Sequence, residues 1–104
     1  MRLTARMLGL EPGPEVELPL RLAPGQSRAI YCFTELRGLN GRTVVHQWDW
    51  NGRSVQRKEL PVGSPAWRTY SGTKITGDMP GQWRVAVIDA KTGLLIAETR
   101  FQVR

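Results

Sequence analysis

The chain holds one cysteine, Cys32, and one histidine, His46. These are the types that make a thiolate nucleophile and its base, but here they fall on different expected strands with no Cys–His signature around them. His46 and Asp49 stand three apart, so on a strand they face opposite sides and cannot share a metal ion. No glycine-rich phosphate loop of the GxGxxG or Walker kind occurs. The nine acidic residues are scattered and nominate no carboxylate pair for glycoside hydrolysis. The expectation is a protein that is not an enzyme and carries no cofactor and no metal.

The aromatic residues are more informative. Four tryptophans occur, Trp48, Trp50, Trp67 and Trp83. Period-two alternation over Thr43–Trp50 puts Val44, His46, Trp48 and Trp50 on one face. Trp48 is expected at its buried centre, with His46 and Trp50 flanking it. Trp83, Val85 and Val87 share another apolar face and read as core. The segment from Trp67 to Lys74 departs from plain strand patterning: Trp67, Arg68, Thr69, Tyr70 and Ser71 are followed by Gly72, Thr73 and Lys74. Aromatic planes among Arg, Lys and hydroxyl groups suit a sugar or a planar anion, through stacking and charge-assisted hydrogen bonds. The structural alternative is an edge strand with Arg68 paired to an acid such as Asp49 or Glu59.

The elements that must position these side chains are short strands. Eleven Gly and seven Pro punctuate runs of four to nine residues, an all-β signature. The runs are Arg2–Leu8, Val16–Leu22 (broken by Pro19), Arg28–Leu36, Thr43–Trp50, Ser54–Val62, Trp67–Ile75, Gln82–Asp89 and Leu94–Val103. Asn40-Gly41 and Asn51-Gly52 each read as a hairpin turn, because Asn and Gly tolerate positive φ. No segment sustains a helical period. Seven or eight strands in one domain spanning residues 1–104 point to an antiparallel β-sandwich of immunoglobulin or fibronectin type; a small closed barrel is the other architecture.

Fifteen Lys and Arg against nine Asp and Glu give a net charge of +6, and twelve of the fifteen are Arg. Such a chain can meet acidic glycans, acidic proteins, anionic lipid or nucleic acid. The bases are dispersed, with no run longer than Arg57-Lys58, which argues against a dedicated nucleic-acid surface. A single cysteine allows no intrachain disulfide. No apolar run approaches the roughly 18 residues of a membrane span, and no apolar core of a signal peptide is visible. The compartment is left between the cytoplasm and, for a piece of a longer protein, the cell envelope.

Five segments occur in a characteristic order: Phe33-Thr34-Glu35-Leu36, Thr43-Val44-Val45-His46-Gln47-Trp48, Asn51-Gly52, Pro65 through Lys74 (Pro-Ala-Trp-Arg-Thr-Tyr-Ser-Gly-Thr-Lys), and Gly81-Gln82-Trp83-Arg84-Val85. In these, with Glu11-Pro12 near the start, the chain resembles the bacterial domain-of-unknown-function 2914 family over nearly its whole length. It departs at Gly72, where the family usually has a second Ser. The resemblance implies no activity. It implies that His46, Trp67, Arg68, Tyr70, Ser71 and Lys74 matter, and that many relatives carry the domain at the end of a longer, often membrane-attached protein.

The first reading is a non-enzymatic binding module for a glycan or an acidic envelope component, held by these six residues. The second is a protein-interaction domain docking a partner through an edge strand and its basic face. The third is a small enzyme with His46 as acid and base. The first requires exposed, roughly coplanar Trp67 and Tyr70 rings. The second requires an unpaired, fairly apolar edge strand, and the third a pocket with His46 at its floor.

Overall fold

The computed structural model describes residues 1–104. It is built of strands alone: β1 (Arg2–Thr4), β2 (Met7–Leu8), β3 (Glu11–Pro12), β4 (Ser27–Arg37), β5 (Thr43–Trp50), β6 (Arg53–Pro61), β7 (Ala66–Thr76), β8 (Gly81–Asp89) and β9 (Leu95–Val103). One sheet has the order β1-β4-β7 and the other β6-β5-β8-β9, while β2 and β3 form a separate hairpin. All strand pairs are antiparallel.

The two sheets stack face to face. One apolar cluster draws Leu3, Ile30, Cys32 and Ile75 from the first sheet and Trp48, Trp83, Val85, Phe101 and Val103 from the second. The shortest dimension of the molecule, 16 Å, fits two layers about 10 Å apart. Trp48 and Trp83 are fully buried, as the alternation of β5 and β8 expects. Trp83 lies between Trp50 and Phe101, with ring centroids 6.4 and 6.1 Å away. Each indole also finds a polar partner, Trp50 donating to the Pro80 carbonyl and Trp83 to that of Met79. A second, smaller cluster of Leu36, Val44, Val62 and Val87 closes the other end.

The strands from Ser27 onward fall close to their expected bounds, and the differences have physical causes. Asn51-Gly52 makes the hairpin between β5 and β6, both residues taking positive φ (49° and 82°). Asn40-Gly41 does not make one. Only Gly41 is left-handed there, the Arg42 N–H bonds back to the Leu39 carbonyl, and the chain crosses from one sheet to the other. Local φ preference signals a turn; the sheet that each flanking strand joins is decided by burial. Arg2–Leu8 breaks after Thr4, whose hydroxyl accepts the Arg6 N–H. Val16–Leu22 is no regular strand. Pro14, Pro19 and Pro24 remove ladder donors, and the stretch is tied down by the isolated bridges Thr4–Glu15 and Leu20–Val103, by the Leu22 N–H on the Arg104 carbonyl, and by the burial of Val16 and Leu20.

Candidate functional site

Strand β7 runs beside β4 in unbroken register, which places the six candidate residues individually. Alternation sends Trp67 and Ser71 inward and Arg68, Tyr70 and Lys74 outward. The six therefore do not form one patch, and Trp67 and Tyr70 do not share a platform.

On the inner side, His46 reaches across from β5 and is wholly buried. Its Nδ1 lies 2.7 Å from Ser71 Oγ and its Nε2 3.2 Å from Thr34 Oγ1. The short contact suits a hydroxyl donating to a ring nitrogen, and the long one an N–H donating to a hydroxyl oxygen. Ser71 Oγ also accepts the Trp48 indole N–H at 3.0 Å. The chain of donors runs from Trp48 through Ser71 to His46 and on to Thr34, bridging both sheets. Burial pushes the His46 pKa down to about 4, so the ring is neutral at pH 7. Cys32, also buried, has its thiol pushed up to about 12 and is inert at neutral pH. Trp67 packs against the Leu36, Val44, Val62 and Val87 cluster. Its ring lies under Gly63, where an added Cβ would stand 3.0 Å from it.

The outer side is different in kind. Tyr31 and Phe33 of β4 stand opposite Gly72 and Tyr70 of β7, and Glu35 opposite Arg68. The Tyr31 ring lies over Gly72, so close that a Cβ there would come within 2.5 Å of it. Tyr70 meets Tyr31 edge to face at 5.9 Å. Both rings are half-buried, and Lys74, one strand position beyond Gly72 on that face, is exposed. Arg68 does not pair with Asp49 or Glu59. Its Nη1 donates to Glu11 Oε1 at 2.6 Å, its Nε lies 3.8 Å from Glu35, and its guanidinium sits 5.5 Å above the Phe33 ring. The β2–β3 hairpin is thus strapped across the sheet, and Arg2 donating to the Gly13 carbonyl adds a second tie. A shallow cleft of about 330 Å³ remains between Arg2, Glu11, Pro12, Phe33, Glu35 and Arg68. Asp49 instead binds Arg84, which also binds Glu98, on the outer face of the four-stranded sheet.

Tyr31 is the residue that sequence reading passed over. Its signal was a glycine in mid-strand, Gly72, a position that an aromatic side chain across the ladder often covers.

A family model described as a protein of unknown function (DUF2914) matches residues 41–103. That span is narrower than the motif resemblance and leaves out Phe33–Leu36 and Glu11-Pro12. No curated protein and no solved structure shows significant similarity to the chain.

Proposed function

The chain belongs to the DUF2914 family of proteins of unknown function, and we propose that it is a non-catalytic binding module whose ligand is an acidic saccharide. The observation that supports this is the outer face of β4 and β7, where the Tyr31–Tyr70 pair stands half-exposed beside Lys74. Aromatic faces stack on the C–H surfaces of a sugar ring, and an ammonium at the rim pairs with a carboxylate. The net charge of +6 draws an acidic ligand in. In this reading Tyr31, Tyr70 and Lys74 touch the ligand. Arg68 holds the hairpin that walls one side, and His46, Ser71 and Trp67 hold β7 in place from within.

An envelope glycan fits the same chemistry. Amide NMR titration of the labelled protein with neutral glycans, acidic glycans including peptidoglycan fragments, and a short oligonucleotide tests it at low and high salt. Salt-resistant shifts on Tyr31, Tyr70 and Lys74 with an acidic glycan are expected, lost in Tyr70→Ala. Diffuse shifts that vanish with salt would overturn the reading.

The edge-strand reading ranks second. Strand β6 is exposed and carries Arg53, Arg57 and Lys58, which suits an acidic partner. Both outer strands of its sheet, however, hold an extra residue, Val55 in β6 and Ile96 in β9, and such bulges discourage strand addition. An acid–base role for His46 ranks third: its ring is buried with both nitrogens occupied, so the sandwich would have to open for it to meet a substrate.

A further inference from the structure

A second polar cavity, about 640 Å³, opens where the β4–β5 crossing meets the β8–β9 turn, lined by Gly41, Arg42, Thr43, Glu59 and the stretch 89–92. Its walls are unusually fixed for loop residues. The Arg42 N–H bonds to the Leu39 carbonyl, and the Arg42 carbonyl accepts the Val62 N–H. Asp89, with 6% of its side chain exposed, accepts the Lys91 and Thr92 amides on Oδ1, at 2.9 and 3.0 Å. Its Oδ2 accepts Arg42 Nε at 2.6 Å. That bond and the two amides hold the Asp89 carboxyl down at about pKa 2, so it is ionised at any physiological pH.

The consequence is a guanidinium aimed but not consumed. Arg42 is engaged through Nε, while its two Nη groups donate to no protein acceptor and its side chain stays 47% exposed. Arg84 differs: two carboxylates take its Nε and Nη1 together. A planar fork held by a buried carboxylate from behind is preorganised to take an oxyanion in front, since its rotamer freedom is already lost. Lys91, on the same wall, is in no ion pair with Asp89 or Glu59.

We propose that Arg42 and Lys91 form a binding site for a single carboxylate group. Asp89 and Glu59 balance the two cations formally, so the cavity favours a monoanion over a doubly charged phosphate. The site is separate from the Tyr31–Tyr70 face and stands or falls without it.

The probes are sodium acetate and inorganic phosphate at pH 8, where phosphate is mostly the dianion, titrated against sodium chloride at matched ionic strength into the labelled 104-residue chain and followed by amide NMR. Saturable shifts at Arg42, Lys91 and Thr92 are expected with acetate, several-fold tighter than with phosphate. Arg42→Lys keeps a cation for Asp89 but removes the fork and should weaken acetate at least tenfold. Lys91→Gln touches no structural contact and should weaken it several-fold. Glu59→Gln should narrow the gap between acetate and phosphate. Shifts indistinguishable from chloride, or acetate affinity unchanged in both Arg42→Lys and Lys91→Gln, would overturn the site. Phosphate binding more tightly than acetate would overturn the monoanion preference.

Discussion

The two sides of β7 carry residues from one short stretch of sequence, yet they have little physics in common. On the inner side Trp67 packs on the smaller apolar cluster and Ser71 is buried with its hydroxyl fully committed; that hydroxyl alone joins Trp48, His46 and, through His46, Thr34. The outer side, Arg68, Tyr70 and Lys74, is half wet and only partly committed. Arg68 straps the hairpin, whereas Tyr70 and Lys74 have no hydrogen-bonding partner in the protein. A compact motif is therefore two devices interleaved by the pleat. One specifies how the sheets register on each other, and the other is free to meet something else.

Breaking the inner device should have the largest effect. Ser71→Val replaces the hydroxyl with methyl groups and orphans the Trp48 indole N–H and His46 Nδ1 together. At about 1–3 kcal/mol for each buried unpaired group, it should lower stability by about 4 kcal/mol in urea unfolding. A loss under 1 kcal/mol would mean that the hydrogen-bond chain does not hold the sheets. The same device predicts a pH dependence. His46 is depressed from 6.5 to about 4 in the folded chain, so the unfolded chain binds more protons between those values. Stability should be full above about pH 6.5 and fall by about 3 kcal/mol as the pH drops to 4. His46→Gln should flatten that slope, which urea midpoints at pH 7.5, 5.5 and 4 would reveal.

The outer side should answer more quietly. Arg68→Ala frees the hairpin and uncovers Phe33; exposed ion pairs contribute little, so about 1 kcal/mol is expected, with faster hydrogen exchange confined to 6–13. Gly72→Ser would put a Cβ into the Tyr31 ring and push it aside, with a destabilisation of about 1 kcal/mol and a changed Tyr31 ring environment in NMR. Tyr70→Ala should change stability least, by under about 1 kcal/mol for a half-exposed ring. If Tyr70→Ala proved as damaging as Ser71→Val, the division between the two sides would collapse.

Much of this division can be read without coordinates. Residues three apart on a strand face opposite ways, which alone separates Trp67 from Tyr70. The core role of Trp48 and Trp83 follows from alternation, as do the strand bounds of β5 and β8. The pairing of His46 with Ser71 does not, because it depends on how one sheet is set over the other, and no local pattern encodes that offset. The partners of Arg68 were hidden for a related reason. Glu11 lies on a hairpin formed after the Thr4–Arg6 break, and Glu35 becomes its neighbour only once β4 pairs with β7 rather than with β5. Asn40-Gly41 misled about that pairing, since a turn signal says that the chain bends and not where it goes.

The register of β4 on β7 bears on what counts as one unit of this protein. The stretch shared with the family begins at Gly41, so it includes β7 but not the strand that hydrogen-bonds β7 along eleven positions. A fragment cut at Gly41 would keep the four-stranded sheet whole. It would leave β7 without a ladder partner and strip Leu3, Leu20, Ile30 and Cys32 from beneath Trp48 and Trp83. The portion that similarity recognises is shorter than the portion that shares one ladder and one core. The first forty residues belong to the domain by hydrogen bonding and burial, whatever their likeness to other sequences.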